Sequence, residues 1–428
     1  MIFGNSISAY GAIRSLSRHD VPLYLVAPDP GISGRSRYVR DILSVDPSSP
    51  DLIPRVNEWV RRKMAGEAVL FVGGSDYYLE ALAQGREGLA EGIRATFPDA
   101  IAVRKVRDKA ETCQIAESIG LAVPGTARIR SRRELESSLA AGLSIQPPYL
   151  LKAQDSARLL AECGVKGVVC EAAADVPATY DAHDGFFGDL LIQELIPGGE
   201  DRLINVIAVL NADGAPLAVF VNRKVRSVAP FLSCTLMETD WDASAVDQSL
   251  RLLKTIRYRG YANVEFKLDP RDRLPKLMEI NGRLTLSNSH ALRCGLDLPF
   301  LMYRDALTGA EPPLRSVSRG YPARILWWYP ASDLVGLGHR LRARELRLGR
   351  VIRETLGRGY VVEPFRWRDP GPGLYQVWRM VRGAAIGAGR FARRFVAAFG
   401  SGGHSEGGRE RARREVEDDR GPGKTTDD

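Results

Sequence analysis

Glu265, Glu279 and Asn281 have the types and spacing to hold a divalent cation. They fall in two stretches, residues 262–269 and 277–283, where apolar and polar residues alternate as in half-buried strands. Pro270, Arg271, Asp272 and Arg273 lie between them and supply turn chemistry. Folded as a hairpin, the pair brings the three oxygen donors toward one place. Glu279 and Asn281 are two apart and share a strand face. Such a set suits Mg²⁺, which takes a few carboxylates together with phosphate oxygens. An isolated half-exposed hairpin with solvated charges would read the same way, so the rest of the chain has to decide.

A second group is cationic. Lys152 follows Tyr149, Leu150 and Leu151 in a strand that begins just after Pro147 and Pro148. An ammonium in an apolar strand is costly to bury unless an anion meets it; a lysine snorkelling at the strand end is the alternative. Lys224 and Arg226 are placed on one face of a strand over 218–226 and repel each other unless anions lie between them. A solvated edge face is the other reading. Lys109 sits in the first turn of a helix, a position that usually faces water.

The elements that position these residues alternate along the chain. A short strand at the start, a helix over 8–18, a strand over 21–27, a strand over 68–73 and a helix over 77–84 give a parallel sheet with helices on its faces. The opening strand is a stub, which leaves a start upstream of Met1 open. A helix over 107–120 has Asp108 as N-cap and Gly120 as stop. Strands follow over 149–153, 167–171 and 190–194. Residues 203–210 and 217–225 form an antiparallel pair around Asn211-Ala212-Asp213-Gly214, and 243–259 is helical.

The chain has 428 residues, 44% hydrophobic and 26% charged, which describes a globular protein of several domains. No apolar run approaches the ~20 residues of a membrane helix, and no secretory leader opens the chain. Five scattered cysteines and five histidines show neither a disulfide framework nor zinc spacing. A reducing cytoplasm is the expectation. The net charge of +8 is carried by arginine, with no nucleic-acid-binding motif beside it, so a nucleic-acid partner is not expected.

Taken in order, these segments resemble the ATP-grasp superfamily, particularly its carboxylate–amine ligases, over roughly residues 1–310. The resemblance is carried by Asp108-Lys109, by Tyr149-Leu150-Leu151-Lys152, and by Gln193-Glu194-Leu195-Ile196-Pro197-Gly198-Gly199-Glu200. It extends through Val264-Glu265-Phe266, Glu279-Ile280-Asn281-Gly282-Arg283 and Gly295-Leu296-Asp297-Leu298-Pro299. Gly282 stands where relatives often carry proline. The resemblance implies an α/β protein whose ATP-grasp part is α+β. A Rossmann-like parallel-sheet domain would span 1–103, a lid subdomain 104–190 and a metal-bearing subdomain 191–310. A mixed extension would span 311–400, and a disordered tail 401–428. It implies ATP and Mg²⁺, with Mn²⁺ as a substitute. Lys109, Lys152, Gln193, Glu194, Ile196 and Glu200 would bind the nucleotide, the Glu194 carbonyl and Ile196 N–H taking adenine and Glu200 the ribose. Glu265, Glu279 and Asn281 would hold the metal. Lys224, Arg226 and Arg283 would act at the γ-phosphate or acyl phosphate. Lys166 would cap a loop over the phosphates. Ser287 and Asn288 would line an acceptor pocket, with His290 making local hydrogen bonds at a helix start.

The implied reaction joins a small-molecule carboxylate to an amine through an acyl phosphate, releasing ADP and phosphate. An ATP-grasp enzyme with a non-amine nucleophile and a nucleotide-binding scaffold without turnover remain open beside it. Trp327-Trp328 and residues 367–372 are expected to pack back on the core. An amphipathic basic helix over 377–399, with Val377, Met380, Val381 and Phe391 on its apolar stripe, is expected to dock on the protein. An anionic membrane surface is the alternative. A homodimer is one arrangement open to the chain.

Overall fold

The computed structural model describes residues 1–183, 188–229, 231–309, 311–315, 317–342, 348–357 and 359–387. The tail expected after residue 400 and the end of the basic helix lie outside them.

Three sheets organise the chain. The first contains β1 (Ile2–Phe3), β2 (Leu23–Val26), β3 (Val39–Leu43), β4 (Ala68–Val72) and β5 (Ile93–Ala95) in the order β3-β2-β1-β4-β5, all parallel. The second contains β6 (Thr126–Ile129), β7 (Tyr149–Ala153), β8 (Val168–Cys170) and β9 (Leu190–Glu194), antiparallel in the order β6-β9-β7-β8. The third contains β10 (Leu203–Leu210), β11 (Pro216–Ser227), β12 (Cys234–Thr239), β13 (Gly260–Leu268), β14 (Pro275–Asn281), β15 (Ile325–Trp328) and β16 (Gly359–Val362). Its order is β14-β13-β10-β11-β12-β15-β16. The expected α/β class with an N-terminal parallel sheet and two α+β subdomains is the architecture observed.

β10 shows how the core forms. Its alternate residues face opposite ways. Ile204, Val206, Ala208 and Leu210 pack with the helix Ala243–Ile256, whereas Ile207 and Val209 meet the N-terminal helix Ile7–Leu16. The central sheet is therefore covered on both faces, and its strands read as near-continuous apolar runs. Among the described residues five helix starts are set by side-chain caps, three of them close to the central elements. Ser75 accepts from the Tyr78 N–H, Asp108 from that of Glu111 and Asp242 from that of Ala245.

The structure corrects several expectations. The boundary read at 190/191 cuts through β9, which pairs with β7 and β6, so the lid sheet runs on to Glu194. The extension completes the central sheet: β15 lies antiparallel to β12, and β16 parallel to β15. Trp327 is fully buried there, its indole N–H donating to Ser289 Oγ at 3.0 Å. Trp367, expected to pack inward, is fully exposed. The helix Gly371–Gly387 begins docked, with Pro372, Gly373 and Gln376 buried, but Val377, Met380 and Val381 face solvent. Its docked face is the small and polar side, and among the described residues the apolar stripe is not docked.

Candidate active site

Glu265 and Glu279 stand directly opposite each other across the β13–β14 ladder, and Asn263 opposite Asn281. The Asn281 amide donates to Glu265 Oε1 at 3.0 Å and to Glu279 Oε1 at 3.4 Å. Asn263 donates to Glu265 Oε1 at 3.2 Å, while its own Oδ1 is buried without a partner. Carboxylates placed directly opposite in a ladder repel, so this pair needs cations. Burial and the neighbouring Glu279 push the Glu265 carboxyl up. Burial acts upward on Glu279 too, but Lys109, Lys152, Lys166 and Lys224 outweigh it and hold Glu279 below the usual range. Gly282 follows the donors at a close crossing, where a Cβ would meet Tyr258 Oη at 2.7 Å and Leu79 Cδ2 at 3.0 Å.

The donors open into a cavity of about 680 Å³ between the lid sheet and the central sheet. Lys109, Lys152, Lys166, Lys224 and Arg283 line it, as do Glu194, Ile196 and Glu200 of the segment after β9. Lys152 Nζ donates to Gln193 Oε1 at 2.9 Å, and the Gln193 amide donates to Thr126 Oγ1 at 3.0 Å. Gln193 thus positions the lysine from the adjacent strand. Lys109 Nζ reaches the Gln154 carbonyl at 2.9 Å and Ser156 Oγ at 2.8 Å, bridging its helix to the turn after β7. For Lys224, burial lowers the ammonium but Glu265, Glu200 and Glu279 more than restore it, so it stays charged.

The segment after β9 is built from backbone. The Leu195 N–H donates to the Pro148 carbonyl at 3.0 Å, and Lys267 Nζ donates to the Ile196 carbonyl at 2.7 Å. The Glu194 carboxylate is occupied by Arg271 and by the Gly125 N–H, so this side chain braces the segment. Glu200 Oε1 is buried and lacks a partner, which is what a carboxylate awaiting hydroxyl donors looks like. We expect Glu200→Gln to weaken binding of a non-hydrolysable ATP analogue by roughly tenfold, the worth of about one charge-assisted hydrogen bond. Isothermal titration checks it, and unchanged affinity would remove Glu200 from the ribose.

Arg226 is the residue that sequence reasoning misplaced. A register shift between Lys224 and Arg226 breaks the strand alternation. Arg226 is buried instead against the extension, its Nε donating to Asp333 Oδ1 at 3.1 Å and Nη2 to Asp333 Oδ2 at 2.7 Å. Its Nη1 donates to Glu354 at 3.0 Å. Arg283 does line the cavity, held at 3.1 Å from Asp76, a partner the sequence did not announce. Ser287 lines the cavity and accepts from Asn222 at 2.9 Å. His290 bonds the Ile325 carbonyl at 2.9 Å and is drawn down to about 4 by burial, a neutral structural imidazole. Lys267, Phe231 and Arg340 also line the cavity without having been singled out. Arg340 comes from the helix Pro330–Arg342, and no local pattern could tie it to residues so distant in sequence.

Lys152 offers a pH test. Removal from water lowers its ammonium to about 8, with Glu279 opposing the shift. A lysine whose folded value lies below its ordinary 10.5 weakens the fold while it is charged, and the fold recovers that stability as pH rises between the two values. An anionic ligand prefers the charged form, so affinity is full below about 8 and falls above it. We expect an ATP analogue to bind more weakly at about pH 9 than at about pH 7. Lys152→Ala should cost roughly 10–100-fold in affinity and flatten that pH dependence. An unchanged profile in the variant would assign the titration elsewhere.

The fold and site have counterparts. Residues 200–309 match the family model described as carbamoyl-phosphate synthase L chain, ATP binding domain. The D-aspartate ligase of Enterococcus faecium is 23% identical over 246 residues, 55% of this chain and 58% of that protein. The chain thus spans little more than half of that relative's length. The D-alanine–D-alanine ligase of Xanthomonas axonopodis pv. citri is 25% identical over 54% of this chain and 73% of its own. Among solved structures, the biotin carboxylase domain of the Hydrogenobacter thermophilus 2-oxoglutarate carboxylase, in complex with MgADP, ADP and bicarbonate, aligns with a TM-score of 0.58. It is 15% identical, covering 76% of this chain and 72% of that one.

Proposed function

We propose that the chain, which is similar to ATP-grasp ligases in the match over residues 200–309 and in its curated relatives, is an ATP- and Mg²⁺-dependent carboxylate–amine ligase of that superfamily. One observation carries the reading. Lys109, Lys152 and Lys224 face the Glu265–Glu279 pair across a single cavity closed by the 194–200 segment. The four cavity acids and the cations around them suit a triphosphate and its metal, and little else of that size carries such charge density.

The donor set fits the ion. It is all oxygen and amide, with two carboxylates and an orphaned amide oxygen at Asn263. Among the described residues no group of three or more His, Cys, Asp or Glu converges, so the remaining positions fall to phosphate oxygens and water, as Mg²⁺ prefers. Glu265, Glu279 and Asn281 would hold it. Bound there, Mg²⁺ would neutralise charge on the phosphates as the terminal phosphoryl group is transferred.

The chain's own residues position and neutralise. Lys152 and Lys109 would contact the nucleotide phosphates, and Lys224 and Arg283 the transferred group. A substrate carboxylate oxygen attacks the γ-phosphorus. The new O–P bond forms as the bond to the ADP oxygen breaks, leaving an acyl phosphate. An amine nitrogen then attacks the acyl carbon, the C–O bond to phosphate breaks, and the nitrogen loses a proton, giving amide and phosphate. No side-chain nucleophile is required. Cys234 at the cavity wall is held protonated, its thiol pushed up to about 12 by burial, so it does not compete.

The named relatives act on D-aspartate and D-alanine, which directs the substrate search to amino acids. Pairs of amino acids and short acids are to be screened for stimulated ADP release, with hydroxylamine trapping of the acyl phosphate. Product that forms only with an amine supports the ligase. Acyl phosphate captured by a non-amine would move the chain to another ATP-grasp reaction. Nucleotide binding without ADP release under any pair would leave a scaffold.

A further inference from the structure

The helix Gly371–Gly387 turns from buried to exposed after Gln376. Its start is fixed. Asp369 accepts from Ser36 Oγ at 2.6 Å and from the Arg37 N–H at 3.0 Å. A Cβ on Gly371 would stand 2.1 Å from the Arg35 carbonyl, so helix and loop touch backbone to backbone. Tyr329 Oη donates to Gln376 Oε1 at 2.8 Å, and the Arg35 guanidinium lies 4.9 Å from the Tyr375 ring centroid. Beyond this mount every residue from 377 to 382 is exposed.

The exposed part is not polar. Leu374, Val377, Trp378 and Val381 are 67%, 45%, 50% and 64% exposed. At spacings of three and four they form one stripe. The buried Gln376 projects from the opposite side of the helix, so the stripe faces away from the body. Trp367 stands fully exposed just before the helix. A contiguous apolar face of this kind marks an interaction surface. Arginine flanks it: Arg382 lies 5.2 Å from the Trp378 ring centroid, whereas Arg379, three residues after the buried Gln376, is on the body side of the helix. In sequence, Arg390, Arg393 and Arg394 follow, interleaved with Phe391, Phe395 and Phe399. Between Asp369 and Glu406 there are five arginines and no acidic residue.

We propose that the exposed stripe of this helix binds the surface of an anionic lipid bilayer. Apolar residues and tryptophan on one side, with an arginine at the flank, are what an in-plane interfacial helix presents. The arginine stem can lie along the apolar stripe while its head meets lipid phosphates. Charge argues against a second copy of the chain on this face, because pairing it with itself would bring the arginines of both copies together. The helix lies on the membrane and does not span it, since no described helix is long and apolar enough to cross. The mount on Arg35–Arg37 would hold the catalytic body at a fixed attitude to the surface.

Co-sedimentation of the full chain with extruded vesicles tests this. Vesicles of equal parts phosphatidylglycerol and phosphatidylcholine should bind at least about tenfold more protein than phosphatidylcholine alone, and salt should weaken the binding. Val377→Glu/Val381→Glu places charge on the stripe at positions already in water, so the thermal midpoint and nucleotide binding should not change while vesicle binding is lost. Arg382→Ala should reduce binding to anionic vesicles several-fold. No binding to anionic vesicles, or binding that both variants retain, would overturn the proposal. So would a lipid-independent dimer in light scattering that Val377→Glu/Val381→Glu dissociates, because the stripe would then belong to a protein contact.

Discussion

Glu279→Gln should lower ATP-dependent turnover by on the order of 10²–10³-fold while leaving the fold intact. Lewis-acid stabilisation of a transferring phosphoryl group is worth several kcal/mol, and each ~1.4 kcal/mol is tenfold in rate. The substitution keeps the volume of the side chain and removes the one carboxylate of the pair that four lysines hold ionised. Among the described residues a 3.4 Å hydrogen bond from Asn281 is the one that reaches that carboxylate, so little packing depends on it. The attraction of the four lysines is lost with the charge, offset in part by relief of the repulsion from Glu265 across the ladder, so the thermal midpoint without ligand should fall only slightly. Phosphate release at saturating ATP and Mg²⁺, read beside a melting curve, checks both halves. Wild-type turnover in the variant would remove Glu279 from the metal site. Lost turnover with a collapsed midpoint would make the residue structural.

What could be seen of this site beforehand depended on how local its signal was. Glu279 and Asn281 are two apart in one strand, and a six-residue turn folds Glu265 back against them, so the constellation needs only one hairpin register. Lys152 stands out because three apolar neighbours precede it in a chain poor in lysine. Lys109 is different: a first-turn lysine looks solvated, and only the resemblance to a family placed it at the cavity. Its actual anchorage, on the turn after β7, joins residues 45 positions apart. The strands β15 and β16 were not foreseen because each has four residues, β15 adding to an edge built more than 80 residues earlier and β16 adding to β15. Glu200 was nameable, but that its carboxylate is buried without a partner is a property of the folded cavity. The amphipathic spacing after residue 376 was legible, yet spacing says only that a helix has two faces. Which of them the body covers depended on Gly371 and Gln376 docking first.

Arg226 shows the cost of reading period two through an irregular strand, and it yields the second large prediction. The shift in pairing after Lys224 leaves that lysine in the cavity and sends Arg226 to Asp333, 107 residues onward. Both side chains are almost wholly removed from solvent, at 2% and 1%. Asp333 also accepts from Thr235 Oγ1 at 2.6 Å and from the Trp328 indole at 2.8 Å. One carboxylate thus ties β11, β12 and β15 to the helix Pro330–Arg342. Arg226→Leu would leave this carboxylate buried without its counter-charge, at a cost of about 3–5 kcal/mol. We expect the thermal midpoint to fall by roughly ten degrees. The affinity of the still-folded protein for ATP should stay within about twofold of wild type, because Arg226 does not reach the cavity. Lys224→Ala should do the reverse, holding the midpoint while lowering turnover. Arg226→Met/Asp333→Leu removes both charges and should recover part of the loss, short of wild type because the Thr235 hydroxyl and Trp328 N–H lose their acceptor. Differential scanning calorimetry and single-turnover ADP formation separate the alternatives. If Arg226→Leu keeps the wild-type midpoint and loses turnover, Arg226 acts at the phosphates and the ion pair with Asp333 does not hold the extension in place.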